Sequence, residues 1–541
     1  MSTNSELAEI FRGIADLLDV QGEKFKPQAY RRAAQSLDAL PDDVRQIAAR
    51  GELRSIPGVG DAIAEKIREY LRDGRVPYYD RLSQEVPAGV RELMRLPGVG
   101  LKTTRRFLTE FGIEGPAELG TAIDAGRLVG AAGFGPKKIE QLRKAVAAGT
   151  PSGARTPLLQ AWRVAEALVA ALKAQTPVDQ IVVAGSLRRR RETVGDLDIL
   201  VTSATPEAVF NAFSALPTVR EVRLRGPTKE TVVVEGGLQV DLRVVEPASF
   251  GAALQYFTGS KEHNVSIRTR ARDRGLRVNE YAVTRGDERV AGRTEEEVYA
   301  SLGLPYIPPE IRENVGEIEA AEKGALPKLV EPTDVHGDLH VHLPANTSPA
   351  HLDARIAAAG SLGWSFLGFI PPRDGDGLTA EAARHLAQCR TRTGSPVRVL
   401  IGTEVGADAT PPPSGADYVI LDLRATADPP SEEATRAVGA IVAAHLAAVP
   451  PGGKDGSGTR RWLAWAATTG TALEVTPSPQ IEGLDSGAVR NAVGQGAKLH
   501  LTAGARSPAD ELDASVISLG LARRGWATAD AVINRRPPPR R

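Results

Sequence analysis

The stretch Gly185-Ser186-Leu187-Arg188-Arg189-Arg190-Arg191-Glu192-Thr193-Val194-Gly195-Asp196-Leu197-Asp198-Ile199-Leu200 constrains this chain more than any other. It follows the apolar run Ile181-Val182-Val183-Ala184 and runs into Ile199-Leu200-Val201. The order reads as strand, Gly-Ser turn with the start of a helix, then a strand carrying two carboxylates. Side chains alternate across a strand, so Asp196 and Asp198 share one face while Leu197 and Ile199 share the other. Two neighbouring carboxylates repel each other, and a sheet has no need of them. A pair of divalent cations does: hard oxygen ligands at this spacing suit Mg²⁺ or Mn²⁺ bridging substrate phosphates. A Gly-Ser turn with arginines beside it can hold a triphosphate.

A third carboxylate extends the pattern. Thr231 to Val245 reads as a β-hairpin turning at Gly236-Gly237. On its second strand Val240, Leu242 and Val244 face one way, which leaves Gln239, Asp241 and Arg243 on the other. Asp241 is then free to join Asp196 and Asp198. An isolated D-x-D is more often a solvated strand; the Gly-Ser-x-x-Arg prefix and the third Asp reverse that preference.

The segment resembles the nucleotidyltransferase signature of family X DNA polymerases, the polymerase beta-like group. The resemblance continues through Tyr256-Phe257-Thr258-Gly259-Ser260, His263-Asn264, Arg268 and Asn279-Glu280-Tyr281, and covers roughly the first 320 residues. It implies that Asp196 and Asp198 bridge two metal ions, Mg²⁺ or Mn²⁺, and that Asp241 binds the catalytic one. It implies that Gly185, Ser186, Arg189 and Gly195 hold the triphosphate, with Val194 where polymerase beta has a serine. Tyr256, Phe257, Gly259 and Asn264 would sit beside the incoming nucleotide, and Arg268 would contact the template strand.

Composition alone would leave the chain unassigned, since its formal net charge is zero. The balance hides unevenness: residues 151–280 carry an excess of Lys and Arg, and the part after 330 is slightly acidic. At 541 residues there is room for several domains. No apolar run has the length of a membrane span, and Met1 to Glu6 lacks the basic-then-apolar order of a secretory signal. A single cysteine, Cys389, excludes an intramolecular disulfide and fits a reducing cytoplasm.

The N-terminal part reads as short amphipathic helices, with Leu7, Ile10, Phe11, Ile14, Leu17 and Leu18 on one stripe. An internal repeat follows. Ile56-Pro57-Gly58-Val59-Gly60 is echoed by Leu96-Pro97-Gly98-Val99-Gly100, and a worn third copy stands at Ala132-Gly133-Phe134-Gly135-Pro136. Each resembles a helix-hairpin-helix, in which Gly58, Gly60, Gly98 and Gly100 let the backbone approach a DNA phosphate beside a helix N-terminus. Such contacts grip DNA without reading its sequence. Lys66 matches the family's Schiff-base lysine for 5′-deoxyribose phosphate, and Lys26 and Arg54 match basic positions; Ala62 stands where the family is usually basic. The alternative for Lys66 is a contact to DNA phosphate.

Beyond the connector at 322–334, short apolar strands alternate with Ala-rich helices: 365–370, 397–401, 418–423, 472–475 and 499–502. This β/α pattern resembles the barrel of PHP domains, and His336-Gly337-Asp338-Leu339-His340-Val341-His342 resembles their opening metal motif. His340, His342 and Glu404 match ligand positions, and Glu474 is acidic at a related strand. Elsewhere the set is worn. Pro371-Pro372 replaces an Asp-His pair, Arg424 ends a strand that usually ends in His, and Gly504-Ala505-Arg506 replaces a terminal Asp-Ala-His. A fixed cation at a ligand position opposes metal binding. His445 is a possible substitute ligand. The tail from Arg535 to Arg541 is expected to be disordered.

The expected fold is therefore multidomain: a helical DNA-binding, lyase-like domain (1–85), a helical fingers-type subdomain (88–150), an α+β palm (158–250), a thumb-like region (251–320) and a C-terminal β/α PHP-type barrel (335–530). The expected activity is DNA-directed addition of deoxynucleotides to a DNA 3′ end, in gap filling during base excision repair, with PHP 3′–5′ exonuclease activity weak or absent. The implied partners are gapped or primed DNA and dNTPs, for a monomeric cytoplasmic chain. A template-independent nucleotidyltransferase and a DNA-end-binding scaffold without catalysis are the alternatives.

Overall fold

The computed structural model describes all residues except 1–2, 24, 41–43, 74, 86–88, 91–92, 94–95, 97–98, 132, 148–154, 373–377, 407–414, 424–428, 445–456, 477–483, 503–516 and 539–541. The chain divides into two compact units, Met1–Ala154 and Arg155–Pro450 with Gly458–Arg541.

In the first unit, helices α1 (Thr3–Gln21) and α2 (Lys26–Ala39) pack along the stripe read from the sequence. Leu7, Phe11, Ile14, Leu17 and Leu18 are buried against Tyr30, Ala33 and Leu37, and Ile10 is partly buried beside them. Three hairpin turns follow the same backbone rule. Val59 N donates to Ile56 O, Val99 N to Leu96 O and Phe134 N to Ala131 O, each at 3.0 Å. A helix starts after every turn: α3 (Asp61–Asp73), α4 (Leu101–Phe111) and α5 (Pro136–Ala147). The worn third copy is thus a structural copy. At the first turn Gly58 has φ +82°, and a Cβ there would lie 2.8 Å from Arg32 Cγ and 3.2 Å from the Ala33 backbone nitrogen, so only glycine fits. Gly60 and Gly100 immediately precede α3 and α4; Gly98 lies outside the described residues.

The second unit opens with helix α6 (Leu158–Gln175) and a five-stranded sheet: β1 (Gln180–Val183), β2 (Asp196–Thr202), β3 (Val219–Arg225), β4 (Lys229–Val234) and β5 (Gln239–Val244). The spatial order is β1-β2-β5-β4-β3. All neighbours are antiparallel except β2 and β5, which run parallel with Asp198 opposite Asp241. Leu197, Ile199, Val201, Val240 and Leu242 are buried beneath α6 in one core with Leu168 and Phe213. The hairpin turns at Gly236-Gly237, both with φ +80°. Helices α7 (Phe250–Thr258) and α8 (Lys261–Asp273) and a small antiparallel sheet within residues 277–291 follow, around a core that includes Tyr299 and Ile307.

Seven parallel strands then pair in chain order, β6 (Gly337–His342), β7 (Phe366–Ile370), β8 (Arg398–Gly406), β9 (Tyr418–Asp422), β10 (Val442–Ala444), β11 (Ala472–Val475) and β12 (Leu499–Leu501). Near-continuous Val, Ile, Leu and Phe is what strands covered on both sides require. Buried Asn534 spans the first and last strands: its Nδ2 donates to Gly337 O (2.6 Å) and Leu501 O (2.7 Å), and its Oδ1 accepts from Leu501 N (2.7 Å). The expectation of disorder from Arg535 onward is corrected only at the start of the tail. Ile533–Arg535 is an ordered turn, Arg535 pairs with Asp530, and only residues 539–541 are outside the described part.

Candidate active site

The carboxylate-bearing face of β2 and β5 opens into a cavity of about 460 Å³. Its wall includes Gly185, Ser186, Arg189, Gly195, Asp196 and Asp198 from the palm turn and strand, and Tyr256, Phe257, Gly259, Asn264 and Arg268 from α7 and α8. Asp241 stands across from Asp198 on the parallel strand. The residues singled out between 185 and 268 therefore converge, with Asp241 beside the cavity rather than in its wall. Arg155 and Lys261, which the sequence did not flag, also line the cavity.

Local folding accounts for each position. Gly185 has φ +64° and begins a helical turn, Gly185–Arg188. A Cβ at Gly185 would stand 2.6 Å from Asp198 Oδ2, so the carboxylate approaches the turn only because that residue is glycine. The Tyr256 and Phe257 rings meet edge to face at 5.1 Å, and the Arg243 guanidinium lies 4.2 Å from the Phe257 ring centre. Asn264 Nδ2 donates to the Tyr256 carbonyl (2.7 Å), and its Oδ1 accepts from Gln255 Nε2 (2.8 Å). Asn264 thus fixes the end of α7 while lining the cavity. Ser260 caps α8 by accepting from His263 N. Arg268 is exposed on α8, as is Arg272, whereas Arg270 turns to Leu302 O and Glu322.

Electrostatically the three carboxylates carry a deficit of positive charge. Burial, then Asp196 and Asp241, push Asp198 up to about 7. Burial and Asp241 also raise Asp196. Asp241 is better served, with Lys229 Nζ 2.5 Å from Oδ2 and Thr231 Oγ1 2.7 Å from Oδ1. Carboxylates pushed upward by each other and by burial are a donor set that a hard divalent cation relieves.

A second cluster lies in the barrel. His340 Nδ1 is 2.5 Å from Glu474 Oε2 and its Nε2 is 2.9 Å from Glu404 Oε1. His342 Nε2 reaches His340 Nε2 (3.0 Å), and His340, His342 and Glu404 bring their ligand atoms within 4.8 Å of one another. His500 and Asp338, absent from the sequence assignment, complete it: His500 Nε2 accepts from Leu339 N (3.1 Å) and lies 3.4 Å from Asp338. Burial opposes charge on His340, but Glu474 and Glu404 outweigh it and hold the imidazole up to about 10. Glu474 falls to about 2, His340 overcoming burial. This network is balanced where the first is not. Pro371 and Pro372 follow β7, while Arg424, His445, Gly504, Ala505 and Arg506 are outside the described residues. In the first unit Lys66 is half-buried on α3, donating to Ala62 O (3.2 Å) and lying 4.7 Å from the Tyr78 ring centre.

Residues 253–313 match the DNA polymerase beta thumb, residues 2–76 a helix-hairpin-helix domain, and residues 90–147 a SAM-like helix-hairpin-helix tandem. The chain is 29% identical over 561 aligned residues to the DNA polymerase/3′-5′ exonuclease PolX of Bacillus subtilis (strain 168), spanning 98% of this chain and 97% of that one. It is 30% identical to DNA polymerase lambda of Rattus norvegicus over 57% of this chain and 56% of that one. To DNA-directed DNA/RNA polymerase mu of Homo sapiens it is 23% identical, over 57% and 69%. The fold, the thumb and the carboxylate-bearing sheet define a polymerase beta-like nucleotidyltransferase. Along nearly its whole length the chain is similar to a bacterial family X DNA polymerase, and its seven parallel C-terminal strands fit the PHP-type barrel expected there.

The charge deficit has a measurable consequence. With Asp198 near 7 in the folded chain and about 3.9 in the unfolded one, the folded state keeps a proton the unfolded state has lost. Stability therefore falls as pH rises from about 4 to about 7. In EDTA at pH 8, Asp198→Asn should stabilise the protein by on the order of 1–3 kcal/mol, and the gain should shrink towards pH 4. Calorimetry across that range decides it; a gain independent of pH would mean that the charge is not its source.

Proposed function

We propose that the chain extends a DNA 3′ end by template-directed nucleotidyl transfer, filling gaps during repair as a cytoplasmic monomer. The observation that carries this is Asp196, Asp198 and Asp241 on one sheet face beside a cavity lined by Ser186, Arg189 and the Tyr256-Phe257 pair. In the reaction the primer 3′-oxygen attacks the α-phosphorus of a dNTP, the bond to the β-phosphate oxygen breaks, and pyrophosphate leaves. Asp196, Asp198 and Asp241 would hold two ions, Mg²⁺ or Mn²⁺, which when bound would supply Lewis acidity. Gly185, Ser186, Arg189 and Gly195 hold the triphosphate, so catalysis is mainly positioning and charge neutralisation. Asp241, oriented by Thr231 and Lys229, positions the 3′-oxygen and takes part in receiving its proton. Tyr256 and Phe257 face sugar and base, with the Tyr256 carbonyl tethered by Asn264. Gly58, Gly60, Gly98 and Gly100 approach DNA phosphates in the first unit, and Arg268 the template strand.

Primer extension on gapped DNA tests the reading. Asp241→Ala should lower the rate by about 10³-fold or more while leaving gapped-DNA binding intact. Surviving extension refutes the assignment. Untemplated addition by the wild type indicates the template-independent alternative, and a wild type that binds DNA ends without extending them is a scaffold.

In the barrel we propose little or no nuclease activity. The support is that both His340 nitrogens are taken up by carboxylates and that Pro371-Pro372 offers no side-chain ligand atoms where the family has an Asp-His pair. The His340→Ala, His342→Ala double variant should show the same Mn²⁺-dependent 3′–5′ degradation as wild type; loss of a wild-type activity on that substitution overturns the proposal.

The first unit gains a lesser activity at Lys66, removal of a 5′-deoxyribose phosphate through a Schiff base. Borohydride should trap the chain on such DNA, and Lys66→Ala should abolish trapping. Trapping that persists puts the nucleophile elsewhere, and none with wild type leaves Lys66 a phosphate contact.

A further inference from the structure

The helix at residues 517–524 belongs by sequence to the C-terminal part, yet it is built into the polymerase core. Ile517 is buried in the same cluster as Leu197 and Val240 of the palm strands. A Cβ at Gly520 would lie 2.9 Å from Arg190 Cβ and Cγ, so the helix rides directly on the arginine turn that follows Ser186. Arg523 binds Glu310 (2.8 Å) and Val330 O (2.8 Å), and Arg524 reaches further in.

Arg524 is 9% exposed. Its Nη1 donates to Glu313 Oε1 (3.0 Å) and to the backbone carbonyl of Arg189 (3.1 Å). The same Glu313 oxygen accepts from Arg189 Nε (3.1 Å). The Arg189 guanidinium also donates through Nη1 to the Thr258 carbonyl, and Gly259 has no side chain to obstruct it: a Cβ there would be 3.1 Å from that nitrogen. Arg189 lines the cavity beside Asp196 and Asp198. Arg524 thus grips Arg189 twice, through its main chain and through the carboxylate that orients its side chain. Burial would raise Glu313, yet Arg524, Arg189 and Arg191 bring it down to about 2, so it stays an anion between them.

We propose that Arg524 is a positioning residue for the triphosphate site, and that the C-terminal segment is thereby an obligatory part of the nucleotide pocket. The proposal rests on the polymerase reading. Take Arg524 away, and Glu313 has one buried guanidinium fewer to share, so it draws Arg189 more strongly towards itself. At the same time the Arg189 carbonyl loses its donor. Both changes move the guanidinium away from where a β- or γ-phosphate must sit, and neither touches the carboxylates. An effect on bound triphosphate rather than on the attacking oxygen appears in KM more than in kcat.

Single-nucleotide gap filling by the full chain, with dNTP varied at saturating DNA, tests this. Arg524→Ala should raise the dNTP KM by about 10-fold or more, as expected for one charge-assisted contact, with kcat within about 3-fold. Arg524→Lys, which keeps the charge, should recover most of the loss. If the alanine form does not fold, Arg524→Gln, similar in size and uncharged, is scored by the same limits. A KM within 2-fold of wild type in a folded uncharged variant overturns the proposal, as does a loss confined to kcat. A wild type that does not extend primers sinks this proposal and the polymerase reading together, whereas normal extension with an unmoved KM sinks this one alone.

Discussion

The parallel pairing of β2 with β5 is the constraint on which the rest of the second unit depends. In that register Asp198 lies opposite Asp241, and the alternation that sends Leu197, Ile199, Val240 and Leu242 into the core sends the acids to the other face. A slip of one residue would bury the acids and expose the apolar set, so hydrophobic burial itself holds the carboxylates together. The consequence is visible in Asp198, carried to about 7. Thr231 and Lys229 on β4 make their direct contacts with Asp241, and at Asp196 and Asp198 the charge of Lys229 only partly offsets burial and the neighbouring acids. The sheet is stable because its other face is apolar, and that stability sustains an unfavourable charge cluster where phosphate chemistry requires cations.

The barrel resolves buried charge in the opposite way. His340 sits between Glu404 and Glu474, and His500 between Asp338 and Glu474. A buried ion pair is strongly destabilised by losing one partner, so these residues hold one another whether or not a metal binds. In the palm the acids raise one another's proton affinity, whereas in the barrel His340 and Glu474 each favour the other's charged form; perturbed groups of both kinds occur at functional sites and in structural ion-pair networks.

How much of this was legible depended on the range of the interaction concerned. Alternation along β2 and β5 places Asp196, Asp198 and Asp241 on one face from the sequence alone. The hairpin repeats were readable because the Pro-Gly-Val-Gly order recurs at 57–60 and 97–100, and at Gly58 a positive φ and the close approach of Arg32 and Ala33 demand glycine. The barrel strands were found where apolar runs were dense; Val442–Ala444 is too short to show a pattern, and Val219–Arg225 alternates from Glu221 to Arg225 but buries neither face. His500 went unassigned because its role comes from β6, more than a hundred residues away in sequence. Glu313 and Arg524 each look like an ordinary surface charge in the sequence. Their meaning comes from meeting each other and Arg189, which only the folded chain brings about.

The run Arg188-Arg189-Arg190-Arg191 shows how such distant partners make a local sequence possible. A block of like charges is ordinarily left in solvent, and in a regular helix these side chains would crowd. Here the helical turn ends at Arg188, and Arg190 takes φ +56°, which sends successive guanidiniums in different directions. Arg188 goes to Glu295 and Thr258, Arg189 to Glu313 and the cavity, and Arg190 stacks 3.7 Å from the Trp162 ring centre. Glu295 and Glu313 belong to the thumb-side segment, Trp162 to α6, and the Arg190 turn is roofed by Gly520. Three separate parts of the chain must therefore be folded before Arg189 can be aimed. An arginine held this way at the cavity wall has little freedom left to lose on binding an anionic ligand, which is the physical advantage of building the pocket from segments so far apart in sequence.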